Sequence, residues 1–263
     1  MLWTLHNRAS EASRTDGIIR DEKCIEIYRA LDYDYERSFG PADAAHGVRS
    51  NVFDALIRRF LVEYPAGVII NLGEGLETQR FRVMQEGSLW LSVDVPEAIA
   101  IRERFIQPDD QHQHIACSAL DQAWFDAVPE ERPVFVAAQG LFMYFEPSDV
   151  QTLVTAMARR WPGMQLAFDH IPPWFSKKTL SEKGMQRTPH YTTPRMPWGI
   201  RVNEVIPTLR RWAGAVEDLG PVPFRFPRGA VRWFAGAAGH VPVLRNHLPG
   251  VTHVRLQGAA ARP

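Results

Sequence analysis

The chain has 263 residues, of which 45% are apolar, 11% aromatic and 23% charged. These values are typical of globular proteins, and they exclude a disordered, collagen-like or coiled-coil chain. Lys plus Arg and Asp plus Glu number 30 each, so the formal net charge is zero. A neutral chain has no overall electrostatic attraction for nucleic acid or an anionic membrane, and we predict neither as a partner.

The N-terminal residues and the two cysteines indicate the compartment. Residues 1–11 carry no basic segment followed by an apolar stretch, and the most apolar run, Pro133–Phe145, is shorter than a membrane span. Cys24 and Cys117 each lie in an apolar stretch, as small buried thiols do in a reducing compartment. We therefore predict a cytoplasmic protein without a disulfide framework, and we predict no metal site.

The first 66 residues predict a helical cap. Apolar side chains recur at helical spacing in Glu22–Leu31 and in Asn51–Val62. We expect this cap to precede the first strand within a single domain that spans residues 1–263.

From Gly67 onward, short apolar runs alternate with amphipathic stretches, which is typical of βαβ units around a parallel sheet covered on both faces. The predicted strands are Gly67–Leu72, Leu89–Val93, His114–Ser118, Val134–Ala138 and Gln165–Asp169. The predicted helices are Glu77–Val83, Pro96–Ile106, Gln122–Val128 and Pro147–Trp161. Pro96 and Pro147 both suit the first turn of a helix, where the missing N–H costs nothing.

After Asp169 the alternation stops. Residues Ile171–Trp198 are rich in proline, lysine and aromatic residues, and they are too long for an ordinary connection, so we expect a functional loop. Its aromatic residues suit either a substrate pocket or anchoring of the loop, and its lysines suit either an acidic substrate or a solvated face. These residues are Trp174, Phe175, Tyr191, Trp198, Lys177, Lys178 and Lys183.

The C-terminal part predicts a short helix and an antiparallel edge of the sheet. The helix covers Pro207–Trp212, and the edge strands are Val216–Leu219 and Val251–Leu256. We expect the Ala-rich tail, Gly258–Pro263, to be frayed.

The most informative stretch, Val68–Thr78, is an apolar strand that runs into a G-x-G turn and then a helix. Gly73 and Gly75 allow a ligand to approach the backbone. Thr78 takes the place of the third glycine that dinucleotide enzymes use near the pyrophosphate, so a nucleoside without phosphates fits better. A plain strand-to-helix turn is the alternative.

Polar residues at other strand ends extend this candidate site, because ligands of parallel sheets bind at the carboxyl ends of the strands. Asp94 ends the second strand, 21 residues after Gly73, and its carboxylate suits either two ribose hydroxyls or the N-terminus of the helix at Pro96. Ser118 and Ala119 follow the third strand, and Gln139 follows the fourth. The Gln139 amide interrupts an apolar run and needs a partner, either the backbone or a ligand.

Taken together, these motifs resemble the S-adenosylmethionine-dependent methyltransferases of the leucine carboxyl methyltransferase type, and within them the polyketide O-methyltransferase-like bacterial branch. The resemblance covers most of the chain. The motifs that carry it are Asn71–Thr78 with Arg82, Trp90–Glu97, Ser118–Asp121 with Trp124, Gln139–Tyr144, and in the cap Arg8-Ala9, Asp16–Asp21, Arg49 and Asp54.

The resemblance implies a class I methyltransferase fold: a Rossmann-like α/β domain with a seven-stranded, mostly parallel sheet and the N-terminal helical cap. Residues 67–170 are then the cofactor-binding half, and residues 171–263 hold the substrate loop and the C-terminal strands. The implied cofactor is S-adenosyl-L-methionine.

The resemblance also implies roles for single residues. Arg49 holds the carboxylate of the cofactor, Gly73 and Gly75 pass under its methionine portion, and Asp94 binds the ribose. Ser118 and Ala119 flank the adenine. Gln139 stands where the family often has a glutamate near the methionyl amine, and Arg8 closes over the cofactor from the cap.

The predicted activity is methylation of a carboxyl or hydroxyl oxygen of a small, polyketide-like or aromatic metabolite. A carboxylate is ionised at neutral pH and needs no general base, whereas a phenol or alcohol benefits from one. The candidate bases are His170 and His190, and Tyr144 is a third candidate, although it is more typical of a packed aromatic residue.

Other functions remain open from the sequence. The first is carboxyl methylation of a protein C-terminus, as in the eukaryotic branch of the same family. The second is a nicotinamide-dependent dehydrogenase, and the third is an accessory protein with the same fold and no turnover. The oligomeric state leaves no local signature.

Overall fold

The computed structural model describes residues 1–220, 222–229 and 241–257, with the side chains of residues 242 and 243 outside that description. The cap consists of helices α1 (Leu2–Ala12), α2 (Glu22–Ala30), α3 (Tyr35–Phe39) and α4 (Ala45–Glu63). Asp21 and Asp34 cap α2 and α3, because their carboxylates accept the N–H groups of Cys24 and Arg37 at 2.9 and 3.0 Å. Helix α4 begins at Ala45, before the predicted Asn51. The prediction missed its first turn because that turn contains polar residues and Gly47, which obscure the helical pattern.

The nine strands of the described residues are β1 (Val68–Leu72), β2 (Leu89–Asp94), β3 (His112–Ala116), β4 (Val134–Ala138), β5 (Met164–His170), β6 (Gln186–Thr188), β7 (Tyr191–Thr192), β8 (Val216–Asp218) and β9 (Gly250–Leu256). Seven of them form one sheet in the order β3-β2-β1-β4-β5-β9-β8. Strands β1 to β5 are parallel, and β9 runs antiparallel to both β5 and β8. The predicted seven-stranded, mostly parallel sheet is confirmed.

The remaining helices connect the strands. They are α5 (Gln79–Val83), α6 (Pro96–Arg102), α7 (Pro147–Arg160), α8 (Pro173–Leu180), α9 (Val202–Ala213) and α10 (Pro242–Arg245), with 3-10 turns at Gln122–Ala127 and Phe142–Tyr144. Pro96 and Pro147 lie in the first turns of α6 and α7, as predicted.

Both faces of the sheet are covered, because alternate residues of each strand point to opposite sides. On one face, α4 packs Phe53 and Phe60 against Ile69 of β1 and its neighbours. On the other face, α7 and α9 pack against Ile70 of β1. The cap has its own apolar cluster, which includes Leu5 and extends to the turn after β1.

Besides the start of α4, several predicted boundaries were wrong. Helix α6 ends at Arg102 instead of Ile106, and the predicted helix Gln122–Val128 is a 3-10 turn over Gln122–Ala127. Strand β3 spans His112–Ala116 instead of His114–Ser118, because polar residues begin this edge strand and the apolar residues come only at its end. Helix α9 begins at Val202, before the predicted start, and contains Pro207 in its interior.

The stretch Ile171–Trp198 was predicted as a long loop, and this was wrong. It contains helix α8 and the antiparallel hairpin of β6 and β7. The tail Gly258–Pro263, predicted to be frayed, lies outside the described residues. None of the helices in the described part of the chain combines the length and the apolar character that a bilayer crossing requires.

Candidate active site

A cavity of about 340 Å³ lies at the carboxyl ends of β1 and β4, where the strand order changes direction. Parallel α/β sheets bind small molecules at such switch points. The cavity brings together six of the residues that the sequence predicts for the site: Arg8, Arg49, Gly73, Gly75, Gln139 and Tyr144.

The turn after β1 (the cofactor turn, Gly73–Glu77) requires glycine at two positions. Gly73 and Gly75 have positive φ angles of 65° and 53°. A Cβ on Gly73 would lie 2.7 Å from the Leu141 side chain, and one on Gly75 would lie 2.7 Å from the Met1 side chain. A side chain at either position would be strained, and it would fill space beside the cavity.

Arg102 holds the cofactor turn from within the protein, and its side chain is fully buried. Its Nη1 atom donates to the carbonyl oxygens of Gly75 at 2.9 Å and Glu77 at 2.7 Å. Its Nη2 atom lies 3.2 Å from the Glu74 carboxylate, which also accepts the indole N–H of Trp90 at 3.2 Å. Burial raises the pKa of Glu74. The shape of the turn therefore depends on a side chain from α6.

Asp94 joins the end of β2 to the cofactor turn. Its two carboxylate oxygens accept the N–H groups of Gly75 and Val95, each at 2.8 Å. A carboxylate has about four acceptor sites, so about two remain for a ligand. Burial raises the pKa of Asp94, and the two backbone N–H groups oppose this by favouring the charged form.

Glu77 lies at the centre of a buried ion-pair cluster. One carboxylate oxygen accepts the Ser50 hydroxyl at 2.9 Å and the Gln139 amide N–H at 3.1 Å, and it lies 3.2 Å from Arg8. The other lies 3.0 Å from Arg82. Burial alone would raise the pKa of Glu77, but the two guanidinium groups outweigh it and hold the pKa at about 2.

Arg82 extends this cluster into the cap. Its guanidinium pairs with Asp54 of α4 at 2.7 Å and with Asp21, the N-cap residue of α2. The cap and the cofactor turn therefore share one set of buried charges.

Arg49, Gln139 and Gly140 all line the cavity. Arg49 donates to the Asp169 carboxylate at 2.9 Å, and Asp169 also accepts the Gly140 N–H. A Cβ on Gly140 would lie 2.8 Å from the Arg49 guanidinium, so a glycine is needed there. Gln139 Oε1, Arg8 Nε and Arg49 Nε are buried without a hydrogen-bond partner in the described part of the chain.

Comparison with known proteins decides the family. The sequence model described as leucine carboxyl methyltransferase matches residues 2–158. The chain belongs to the leucine carboxyl methyltransferase family. It is also 30% identical over 259 residues to the tetracenomycin polyketide synthesis O-methyltransferase TcmP of Streptomyces glaucescens, covering 93% of this chain and 92% of the relative.

Solved structures share the fold of this methyltransferase. A DUF574 family protein from Streptomyces avermitilis superposes with a TM-score of 0.56 at 12% identity, covering 95% of this chain and 96% of that one. The N-methyltransferase NodS from Bradyrhizobium japonicum, in complex with S-adenosyl-L-homocysteine, superposes with a TM-score of 0.50 at 12% identity, covering 96% and 98%. The predicted class I methyltransferase fold is confirmed, as is S-adenosyl-L-methionine as the cofactor.

The residues at the cavity fit this cofactor. Its amino acid portion carries an ammonium group and a carboxylate, and the unpartnered Gln139 Oε1 and arginine Nε atoms offer one acceptor and two donors. Asp94 does not line the cavity itself, but it is bonded to Gly75, which does, and it keeps acceptor sites that suit ribose hydroxyls. Buried polar atoms without partners are costly, so a bound ligand that satisfies them gains affinity.

Ser118 and Ala119, predicted to flank the adenine, follow β3 at the same edge of the sheet as Asp94. Ser118 is half-buried, and its hydroxyl accepts the Leu120 N–H at 3.2 Å. Ala119 is buried, and its carbonyl accepts the indole N–H of Trp124 at 3.1 Å. Neither residue lines the cavity.

Of the three candidate bases, only Tyr144 lies on the cavity wall. Burial raises its pKa to about 12. His170 is 2% exposed and packs beneath Gly250, where burial lowers its pKa to about 4. His190 is exposed in the turn between β6 and β7.

Of the aromatic and lysine residues that the sequence analysis singles out in 171–198, one lines the cavity and the others lie elsewhere. Tyr191 lines the cavity, whereas Trp174 is 48% exposed and Trp198 is buried in the main core. Phe175 packs beside Met143 in a small cluster. Three lysines are exposed: Lys177, Lys178 and Lys183.

Sequence reasoning missed the residues that support the site, above all Glu77, Arg102 and Asp169. Asp169 had a usable signal, since it is a charged residue at the end of an apolar strand. Arg102 had none, because an arginine near the end of a helix usually faces solvent.

Proposed function

We propose that this methyltransferase transfers a methyl group from S-adenosyl-L-methionine to a carboxylate oxygen of a small aromatic, polyketide-like acid. The observation that carries this proposal is the set of ionisable side chains around the cavity. In the described residues these are two arginines, two glutamates and two tyrosines, with neither histidine nor cysteine among them.

None of these side chains suits a general base at neutral pH. Burial raises the pKa of Tyr144 to about 12 and also raises that of Tyr191, so both phenols stay protonated. Glu77 is ionised, but it is engaged by two arginines and two neutral donors. Glu74 is enclosed by Arg102 and its other donors.

A carboxylate acceptor needs no such base, because it is already ionised at neutral pH. When bound, S-adenosyl-L-methionine supplies a methyl group on a positively charged sulfur. The protein then has to hold the acceptor oxygen in line with that methyl group, and positioning of this kind contributes about 7 to 11 kcal/mol in favourable systems. Arg8 and Arg49 each keep an unpartnered Nε donor, which favours anionic groups of the cofactor and the acceptor.

The named relative supports both the oxygen and the acceptor class. TcmP is described as a polyketide synthesis O-methyltransferase and matches nearly the whole chain. The aromatic side chains on the cavity wall, which include Tyr144 and Tyr191, suit a planar acceptor.

The test is methylation of matched acceptors by the purified protein with S-adenosyl-L-methionine, followed by mass spectrometry. The acceptors are 2-naphthoic acid, 2-naphthol and a peptide with a free C-terminal leucine. We expect the methyl ester of the acid, at a kcat/KM that is flat from about pH 6 to 8, because the acid is ionised throughout this range. Methylation of 2-naphthol alone would refute the assignment of the oxygen, and methylation of the peptide alone would refute the acceptor class.

The cofactor site is tested separately by calorimetry. Asp94→Asn removes the charge that we assign to the ribose contact, and we expect affinity for S-adenosyl-L-methionine to fall about tenfold or more. Asp126→Asn, at an exposed position, is the matched control and should bind like the wild type. Equal affinities of the two variants would show that Asp94 does not hold the cofactor.

A further inference from the structure

We infer that Trp3 and Tyr191 form a wall that selects planar aromatic acceptors, and that Arg187 is the residue that positions it. This inference rests on the proposed function, since it concerns the acceptor of the same cavity. We call Trp3 and Tyr191 the aromatic wall. Both line the cavity, although one belongs to α1 and the other begins β7.

The two rings of the aromatic wall contact each other directly. Their centroids are 6.0 Å apart, and their planes meet at 60°. This is the edge-to-face arrangement that aromatic pairs favour. Two residues that are far apart in the sequence therefore form one continuous apolar surface at the cavity.

The Trp3 ring is fixed on other sides as well. The His46 ring packs edge-on against it with centroids 4.9 Å apart and an interplanar angle of 87°. The Arg187 guanidinium lies 4.6 Å from the Trp3 ring centroid, which is within the range of a cation–π contact. Trp3 therefore has little rotational freedom to lose when a ligand binds.

Arg187 is held in turn by the cap. Its Nε donates to the Phe39 carbonyl at 2.7 Å, and its Nη2 donates to the Asp43 carboxylate at 3.1 Å. The next residue, Thr188, donates its hydroxyl to the Ser38 carbonyl at 2.6 Å. These bonds dock the β6–β7 hairpin onto the segment that begins with α3.

The same docking places Tyr191. Its ring packs edge-on against Phe39, with centroids 4.9 Å apart and an interplanar angle of 81°. Arg187 thus contacts Trp3 directly and fixes the hairpin that carries Tyr191. Loss of Arg187 should loosen both rings while leaving the cofactor turn, which Arg102 holds, in place.

A preorganised pair of rings favours a planar acceptor over a saturated one of the same size. A naphthalene ring gains edge or face contacts with the aromatic wall in addition to burial of its surface. Its fully saturated counterpart gains burial alone. The ratio of the two affinities therefore reports on the aromatic wall and is insensitive to general damage to the protein.

The experiment measures binding of 2-naphthoic acid and of decahydro-2-naphthoic acid to the complex with S-adenosyl-L-homocysteine by isothermal titration calorimetry. The wild type should prefer 2-naphthoic acid. In Trp3→Leu and Tyr191→Leu, the affinity for 2-naphthoic acid should fall about tenfold and that for the saturated acid by less than about threefold. Trp3→Phe should recover part of the preference.

Arg187→Met keeps most of the side-chain length but removes the cation and its donors. It should lower the preference for 2-naphthoic acid about threefold without changing the affinity for S-adenosyl-L-homocysteine. The matched controls are Trp174→Leu and Arg159→Met, at exposed positions, and both should keep the wild-type preference.

Two results would overturn the inference alone: a wild type without preference, or variants that weaken both acids equally. A wild type that does not bind 2-naphthoic acid would overturn both the inference and the proposed function. That function fails when bound 2-naphthoic acid is not methylated, whereas the binding preference is measured without turnover.

Discussion

Replacement of Glu77 by glutamine tests whether the buried ion-pair cluster stabilises the fold. Glutamine has nearly the same shape, so the change removes the charge without opening a cavity. The amide oxygen of glutamine can still accept a hydrogen bond from Arg8, but it carries no charge. Arg8, which is only 2% exposed, then has the Leu76 carbonyl at 2.8 Å and a neutral amide in place of its carboxylate partner. Arg82 keeps its contacts with Asp54 and Asp21, so Arg8 should account for most of the loss.

Two estimates of the magnitude agree. Breaking a buried ion pair by removing one partner costs about 3 to 5 kcal/mol. The pKa of Glu77 is lowered from its usual 4.5 to about 2, and this difference corresponds to about 3 kcal/mol. Because the pKa is lower in the folded state, this stabilisation is complete above about pH 4.5 and is lost as the pH falls toward 2.

The assay is urea unfolding followed by tryptophan fluorescence, at neutral pH and at several acid values. Glu26→Gln is the control, because Glu26 is 62% exposed and pairs with Lys23 at 2.6 Å. Its loss should cost less than about 1 kcal/mol. The reasoning is refuted if Glu77→Gln costs no more stability than Glu26→Gln. It is also refuted if the wild type and Glu77→Gln lose stability equally as the pH falls from 4.5 toward 2.

Three further predictions concern single residues. Gly73→Ala should lower both the melting temperature and the affinity for S-adenosyl-L-methionine, because the new Cβ meets Leu141. Gly163→Ala is the control for backbone strain alone, since Gly163 has a φ of 90° and a Cβ built there has no atom within 4 Å. His170→Gln should remove about 1.4 kcal/mol per pH unit from the slope of stability against pH between about pH 4 and 6.5, since the folded-state pKa is about 4 and protonation opposes folding in this range. Cys24, whose pKa burial raises to about 11, should react with iodoacetamide only on unfolding, as mass spectrometry of denatured and native samples will show.

Each of these predictions has a result that contradicts it. Equal losses in Gly73→Ala and Gly163→Ala would mean that the Leu141 contact is unimportant. An unchanged slope in His170→Gln, measured by urea unfolding between pH 4 and 6.5, would mean that His170 titrates normally in the folded protein. Alkylation of Cys24 at the rate of a free thiol would contradict its burial.

Sequence reasoning predicted the parallel part of the sheet because apolar runs such as Val68–Leu72 are buried on both faces. The places of the cofactor turn and Asp94 were predictable for a related reason, since each lies at the end of such an apolar run. Their contacts with the cofactor stay a prediction. The predicted position of β3 was displaced along the sequence. This strand lies at the edge of the sheet, where its residues are partly polar, so its sequence lacks a clear apolar run. Strands β6 and β7 have three and two residues, too few to show any alternation.

The supporting residues could not be predicted, because their roles depend on contacts between distant segments. Arg102 and Glu77 look like ordinary charged residues of helices or turns until the fold buries them. Arg187 lies in a polar stretch, and its importance follows from Trp3, which is remote in sequence. Local pattern carries no information on such pairs.

The Glu77 carboxylate also has a consequence for the order in which the chain folds. It contacts side chains from helix α1, from α4 and, through Gln139, from the end of β4. Bringing together segments so distant costs loop-closure entropy, so these contacts should form late. A nascent chain in which Gln139 has not yet left the ribosome should be unable to bind the cofactor, even though the whole cofactor turn has already been synthesised.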